Sequence, residues 1–546
     1  MSPTAGVERP GRATPDEAPL AVPTSGAGDP DAIVIGAGPN GLVAANVLAD
    51  AGWRVLILEA QPTPGGAVRS AELAAPGFTA DVCSSCYPLG AVSPVLQGLE
   101  LERHGLRWSH APLALAHPAP DGCVLVDPGD PTATSASIDA FAPGDGAVWD
   151  RLYRKWERAG DEIIGALLAP FPPIQRALRV ARALGPRDLV GFGRLSLWSL
   201  DRVAREFRGA GGQLLLGGNM AHTDLSVSAV SGALYGWLLA CLAQDVGFPV
   251  VRGGAGNLVD ALVARLVATR GELRCDAPVT RVLVDGTNAA GVALLDGTEI
   301  RARKAVLADT SAPALLLDLV GEEHLSRAHV RAIERFRWDH ATVKIDWALD
   351  SSIPWDAEPA RRACTIHLTD SLADLRTAGD QLASGHVPAR PFVIVGQTTT
   401  ADPTRSPAGT EAAWAYAHVP QEVAGDAGPD GITGAWAAGD GDRFADRIQA
   451  EIERRAPGFG DRIRDRHVLT PVSLEALDAN LKGGAVNGGT SAIRQQLFLR
   501  PVPGWSGGER TPIDGLYLAS ASAHPGGGVH GACGANAAQA ALRIHG

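Results

Sequence analysis

The sequence predicts an α/β protein: a Rossmann-like dinucleotide-binding domain carrying an inserted mixed α+β substrate domain. Three observations predict this. A short apolar run, Ala32 to Ile35, leads directly into a GxGxxG turn at Gly36, Gly38 and Gly41. A helix-like stretch and a second short strand come next, and that strand closes on an acid, Glu59, 18 residues beyond Gly41. A second strand–glycine–helix unit ends the chain, from Gly515 through Gly526-Gly527-Gly528 to a small-residue helix reaching about Ile544.

Each part of the opening unit has a mechanical reason. An apolar, β-branched run of four residues reads as a buried parallel strand. Gly36 permits the tight turn, Gly38 lets backbone approach a pyrophosphate, and Gly41 lets the helix pack on the strand. Pro39 and Asn40 open the helix, whose first N–H groups and partial positive charge face the phosphates. Glu59 can accept hydrogen bonds from ribose hydroxyls, with Ala60 beside it, and an acid there opposes a 2′-phosphate. Strand, glycines, helix, strand and acid in that order form the context the motif requires.

The segment after Glu59 decides between dinucleotides. Residues 61–70 hold a paired-glycine loop, Gly65-Gly66, with Arg69 just beyond. Such a loop can lie against a pyrophosphate, and Arg69 can offer it a charge-assisted hydrogen bond. An NAD-dependent dehydrogenase has no need of it. At the other end, glycines 526–528 let backbone lie flat against a planar ring. The helix after them aims N–H groups at the ring's edge, where they would stabilise an anionic reduced form.

On these residues the chain resembles the phytoene desaturase-like FAD-dependent oxidoreductases, the bacterial branch of the carotenoid desaturase and amine oxidase superfamily. The run His524-Pro525-Gly526-Gly527-Gly528-Val529 is similar to that family's closing signature, and Leu481 to Pro503 is similar to its preceding segment. The resemblance implies noncovalent FAD, with the backbone of Val279 at the adenine, the N–H of Ala521 at a phosphate, and Gly528 and Val529 against the flavin. Two departures stand out. The family usually places arginine directly after the glycine pair, where this chain has Ala67. Many relatives also carry Gly-Asp or Gly-Ser where this chain has Ser520-Ala521.

Few residues are needed for chemistry beyond the ring, because flavin oxidation of C–H bonds depends on positioning. The sequence holds no nucleophile elbow, HExxH or Walker loop. Lys344, in the strand Ala341 to Trp347, matches the point where amine oxidase relatives hold a water near flavin N5; a solvent-facing charge is the alternative. His524 and His530 bracket the glycine loop and could donate to a flavin oxygen or shuttle a proton, packing being the alternative. His222 is a weaker third candidate. Cys533 raises a thioether to flavin, with noncovalent binding preferred. Cys83 and Cys86 form one CxxC, read as two small residues on a loop, and no metal site is expected.

Composition excludes other classes. With 546 residues, 45% of them hydrophobic and 20% charged, the chain has ample length for a large core. A formal charge of -12 and 5% aromatic residues argue against nucleic-acid binding. Residues 1–29 read as a disordered leader, not a signal peptide. No apolar stretch reaches the roughly 18 residues that span a bilayer. Seven cysteines without a framework fit a reducing, cytoplasmic setting. Residues 146–210 are helix-like and rich in arginine, a face that could contact an anionic membrane or simply be solvated.

The expected division is a FAD-binding domain over 30–110, 246–329 and 481–546, and a substrate domain over 111–245 and 330–480. The expected function is dehydrogenation of an apolar polyene or terpenoid-like small molecule by hydride transfer to flavin N5, with dioxygen or a quinone as acceptor. A redox-neutral polyene isomerase and an interaction protein with structural FAD are the alternatives. Amine oxidation is weakened by the scarcity of aromatics for a cage.

Overall fold

The computed structural model describes residues 28–436, 439–503 and 510–546, so the expected leader over 1–29 lies almost wholly outside the described residues. In chain order the elements that frame the site are β1 (Ala32–Ile35), α1 (Pro39–Asp50), β2 (Val55–Leu58), β3 (Leu113–Ala119) and β4 (Gly122–Val126). The helices α2 (Asp145–Leu168), α3 (Ile174–Leu197), α4 (Ala210–Met220), α5 (Gly232–Asp245) and α6 (Gly256–Ala268) come after them. Next come β5 (Glu272–Arg274), β6 (Ala305–Ala308), β7 (Ala341–Leu349), β8 (Ala363–Leu368), α7 (Leu372–Ala383), β9 (Val393–Gln397) and β10 (Glu411–Val419). The chain closes with α8 (Asp440–Glu453), β11 (Ile463–Leu469), β12 (Leu516–Leu518) and α9 (Ala532–His545).

Five of these strands form a sheet in the order β12-β6-β1-β2-β5, with every neighbouring pair parallel. All four residues of β1, β2 and β6 are buried, as strands covered on both faces must be. Helices α1, α6 and α9 cover one face through Leu42, Val43, Leu262 and Ala538. A three-stranded antiparallel sheet (Val279–Asp285, Asn288–Leu294, Glu299–Arg301) covers the other through Val282, Val292 and Leu294. The stretch 299–308 forms two strands rather than one. Glu299–Arg301 pairs in the small sheet and Ala305–Ala308 in the large one, and the chain changes sheets at Arg303, which pairs with Asp31 at 2.8 Å.

Seven strands form a second, mixed sheet in the order β11-β7-β10-β9-β8-β3-β4. Only the β8–β3 pair is parallel. Alternate residues of β7 divide between its faces. Val343, Ile345, Trp347 and Leu349 pack under α8 against Phe444 and Ile448. Thr342, Lys344 and Asp346 take the other face, and all nine residues of β7 are buried. That second face is covered by the segment after the paired glycines: Leu469, the partner of Lys344, packs with Ala67, Val82 and Cys83.

A buried ionic knot ties the two sheets together. Arg405 makes a two-pronged contact with Asp81 at 3.0 and 3.1 Å, reaches Asp402 at 3.1 Å and donates to the Val251 carbonyl at 2.9 Å. The arginine and Asp81 are both fully buried. Asp81 also accepts the Ala255 N–H at 2.7 Å, so the start of α6 is fixed to the same point.

Candidate active site and dinucleotide cleft

The opening glycines make a cradle that side chains would fill. A Cβ at Gly41 would lie 2.3 Å from the Gly36 carbonyl oxygen, and one at Gly38 would lie 2.6 Å from a carboxylate oxygen of Asp309. The paired-glycine loop docks on this turn: the Gly65 N–H donates to the Ala37 carbonyl at 2.9 Å, and Gly66 faces the Gly38 backbone. Gly65 and Gly66 both have positive φ, which a side chain would strain. The N-cap of helix α1 is Gly38, which has no side chain to cap it, and the buried Oδ1 of Asn40 has no partner. Glu59 accepts the Ala37 N–H on one carboxylate oxygen (2.7 Å) and the Gln61 N–H on the other (2.9 Å). Each oxygen keeps a further lone pair for a hydroxyl.

Val279 starts the small sheet, two residues beyond Ala277, whose N–H donates to the Glu59 carbonyl at 2.9 Å. Ala60 is exposed beside it. Arg69 does not reach outward. Its Nε donates to the Gly66 carbonyl and its Nη2 to the Leu477 carbonyl, at 2.9 and 2.8 Å, so it braces the loop. Two of its three guanidinium nitrogens are thus committed to the loop, and Nη1 is not.

At the other end, Gly528 is exposed, with positive φ, while Val529 packs inward on the glycine-turn helices. Ala521 presents its carbonyl to Arg500 at 3.0 and 2.7 Å. The Nδ1 of His530 accepts the Ala532 N–H at 3.1 Å, and burial pushes the ring down to about 4, beside His524 and the Gly526 and Gly527 carbonyls. The ring is thereby tied to its own loop through Nδ1. His524 contacts the Ala169 carbonyl through Nε2 at 3.2 Å and is likewise pushed down to about 4 by burial. Its buried Nδ1 has no partner among the described residues.

Lys344 is buried, which removes the solvent-facing alternative, and its ammonium is paired with Asp346 two residues along the same strand face. Burial pushes the Asp346 carboxyl up and the ammonium pulls it back. Beside this pair, Trp414 stacks on Tyr416 (6.1 Å between centroids), and Tyr416 meets His418 edge-on at 5.6 Å. Trp414 Nε1 donates to Ser85 at 3.2 Å. The ladder runs from the glycine-loop segment to a cavity of about 360 Å³ that His418 lines. His222 lies deeper, with Nε2 2.8 Å from Nε2 of His367, and burial pushes it down to about 3.

Two site residues escape sequence reasoning. Asp309, just after β6, accepts the Gly41 N–H at 2.8 Å although 268 residues separate them. Arg500 is fully buried and its guanidinium donates to the carbonyls of Asn487, Gly488, Thr490, Gln495 and Ala521. It thereby orders the loop below the HPGGGV run. A basic residue inside an apolar run, Leu497 to Val502, is the one signal that could have marked it. Cys83 and Cys86 part company: Cys83 sits in the Leu469 cluster, while the Cys86 sulfur lies 3.8 Å from that of Cys364.

Comparison with known proteins supplies the family. Residues 34–99 match an NAD(P)-binding Rossmann-like domain, and residues 124–379 match the flavin containing amine oxidoreductase family. A mouse protein, pyridine nucleotide-disulfide oxidoreductase domain-containing protein 2, is 30% identical over 94% of this chain and 93% of its own length. The chain belongs to the phytoene desaturase-like FAD-dependent oxidoreductases. Hydroxyneurosporene desaturase from Cereibacter sphaeroides is 28% identical over 94% of this chain and 97% of its own. In three dimensions, cyclohexylamine oxidase from Brevibacterium oxydans matches with a TM-score of 0.57 at 16% identity, over 95% and 99% of the two chains. Membership makes the protein an FAD-dependent oxidoreductase. The residues present fit that cofactor: the cradle needs glycine at Gly38 and Gly41, and Glu59 keeps acceptors free. No described helix is long and apolar enough to cross a membrane.

Proposed function

We propose that this protein dehydrogenates an apolar, terpenoid- or polyene-like small molecule, passing the electrons to dioxygen or a quinone. One observation carries the reading. The aromatic ladder on the second sheet face ends at a cavity walled by Leu225, Leu375, Leu382 and Phe392, of a volume suited to one small ligand. FAD, when bound, supplies a two-electron acceptor for a C–H bond. The chain's part is to hold the donor carbon, exclude water and keep the surroundings neutral. Trp414, Tyr416 and the buried Lys344–Asp346 pair do the excluding, and the unpartnered Nδ1 of His524 lies at the glycine loop. The name of the hydroxyneurosporene desaturase relative supports an apolar donor, and a single dinucleotide fingerprint supports an acceptor other than NADPH. Noncovalent attachment is supported by Cys533, whose thiol meets the Gly526 carbonyl at 3.5 Å and is pushed up to about 12 by burial.

Helix α3 breaks at Gly185, and apolar side chains exposed on both of its halves further support peripheral contact with an anionic membrane, the source of an apolar donor. Ile174, Leu178, Val190 and Leu197 are 54–65% exposed there, beside Arg182, Arg187 and Arg194.

The test is anaerobic bleaching of the flavin band by candidate donors, followed by mixing with aerated buffer or a soluble quinone. Bleaching by apolar donors and rapid return of colour are expected. Bleaching by amines alone would overturn the reading.

A further inference from the structure

The 360 Å³ cavity has a mixed apolar and polar lining, and its charged residues are unbalanced. Arg337, Arg494 and Asp224 line it, together with His340 and His418. Asp224 is already satisfied: it accepts from the Thr490 hydroxyl, and from the Ser491 N–H at 2.7 Å. Neither arginine has a side-chain hydrogen bond or ion pair among the described residues, and both are exposed at the mouth. The segments that carry them are tied together. Gln495, the neighbour of Arg494, accepts the Arg337 N–H at 2.9 Å and donates to the Arg337 carbonyl at 2.8 Å. The Thr490 N–H reaches the same carbonyl at 3.0 Å.

Burial pushes the basicity of both histidines down, so neither adds charge at neutral pH. Two guanidinium groups against one carboxylate leave the lining with a single net positive charge. A monoanion neutralises that and a dianion overshoots it. A guanidinium's N–H groups can match both oxygens of a carboxylate at once. The buried Nε2 of His418 has no partner, so the inner end of the cavity still holds one unsatisfied polar atom.

We propose that this cavity takes an apolar molecule ending in one carboxylate, with the carboxylate between Arg337 and Arg494 and the apolar chain against Leu225, Leu375 and Phe392. The inference rests on the dehydrogenase reading for the ligand's fate, but its test does not use turnover. Calorimetric titration of the FAD-loaded protein with dodecanoate, dodecanol and dodecyl phosphate, each below its micelle concentration, measures the head-group preference. Dodecanoate is expected to bind about tenfold more tightly than dodecanol and more tightly than dodecyl phosphate. Arg337→Gln and Arg494→Gln are each expected to erase most of that preference while leaving dodecanol affinity and the flavin spectrum unchanged. Equal affinity for acid and alcohol, preference for the phosphate, no binding of any probe, or variants that keep the preference would overturn it. Dodecanoate that binds without any acid bleaching the flavin would instead count against the dehydrogenase reading alone.

Discussion

Asp309 places a carboxylate on the glycine turn expected to meet the cofactor's pyrophosphate, and its neighbours make that costly. Burial pushes it up to about 7, with Asp478 and Glu59 adding to the rise and the Gly41 N–H opposing it. Because the folded value lies above the ordinary 3.8, the folded protein holds this proton more tightly than the unfolded chain. Its contribution to stability is therefore present at low pH and is lost as pH rises from about 4 to about 7. A nearby dianion favours the neutral form further, so FAD uptake is expected to draw in a proton. FAD affinity of the stripped protein, measured by quenching of FAD fluorescence from about pH 6 to about pH 9, is expected to fall with rising pH. Asp309→Asn is expected to flatten the profile. A flat profile in the unaltered protein would contradict the assignment. None of this is visible in a residue count, because Asp309 and Gly41 meet only when β6 pairs with β1.

Among elements, the Arg405 knot shows how the second sheet is held against the glycine-loop segment. Removing the guanidinium leaves Asp81 and Asp402 buried without their cation, a change that typically costs about 3–5 kcal/mol. Arg405→Met is thus expected to lower the denaturant midpoint substantially. Arg405→Lys should recover part of the loss, since it restores charge without the two-pronged geometry. Unchanged stability in the methionine variant would show that the knot is dispensable. The glycine-rich units were legible at this scale. Strand, turn and helix are contiguous in sequence, and their periodicity changes where the structure changes. The division of 299–308 was not, since a short strand-like stretch does not say which of two sheets it joins.

For the whole molecule, the exposed apolar side chains of α3 make a prediction about location. Sedimentation with phosphatidylglycerol vesicles is expected to carry the protein down, and phosphatidylcholine vesicles much less. Raising salt weakens the arginine contribution, because exposed charges are screened within about 10 Å at 0.1 M. Leu178→Glu with Leu197→Glu should leave the protein in the supernatant. Equal partition of that double variant and the unaltered protein would exclude α3 as the contact.

The sequence alone determined the dinucleotide fold, the cofactor class and the enzyme family. Those depend on backbone shape, and glycines at fixed spacing report backbone shape directly. The tertiary structure alone decided which charges meet. It turned Arg69 inward, committed His530 to its loop, buried Lys344 against Asp346 and set Asp309 on the glycine turn. It also assembled one cavity from residues near 224, 338, 382, 418 and 494. Electrostatics and cavity shape depend on distances between segments hundreds of residues apart, and those distances exist only in the folded chain.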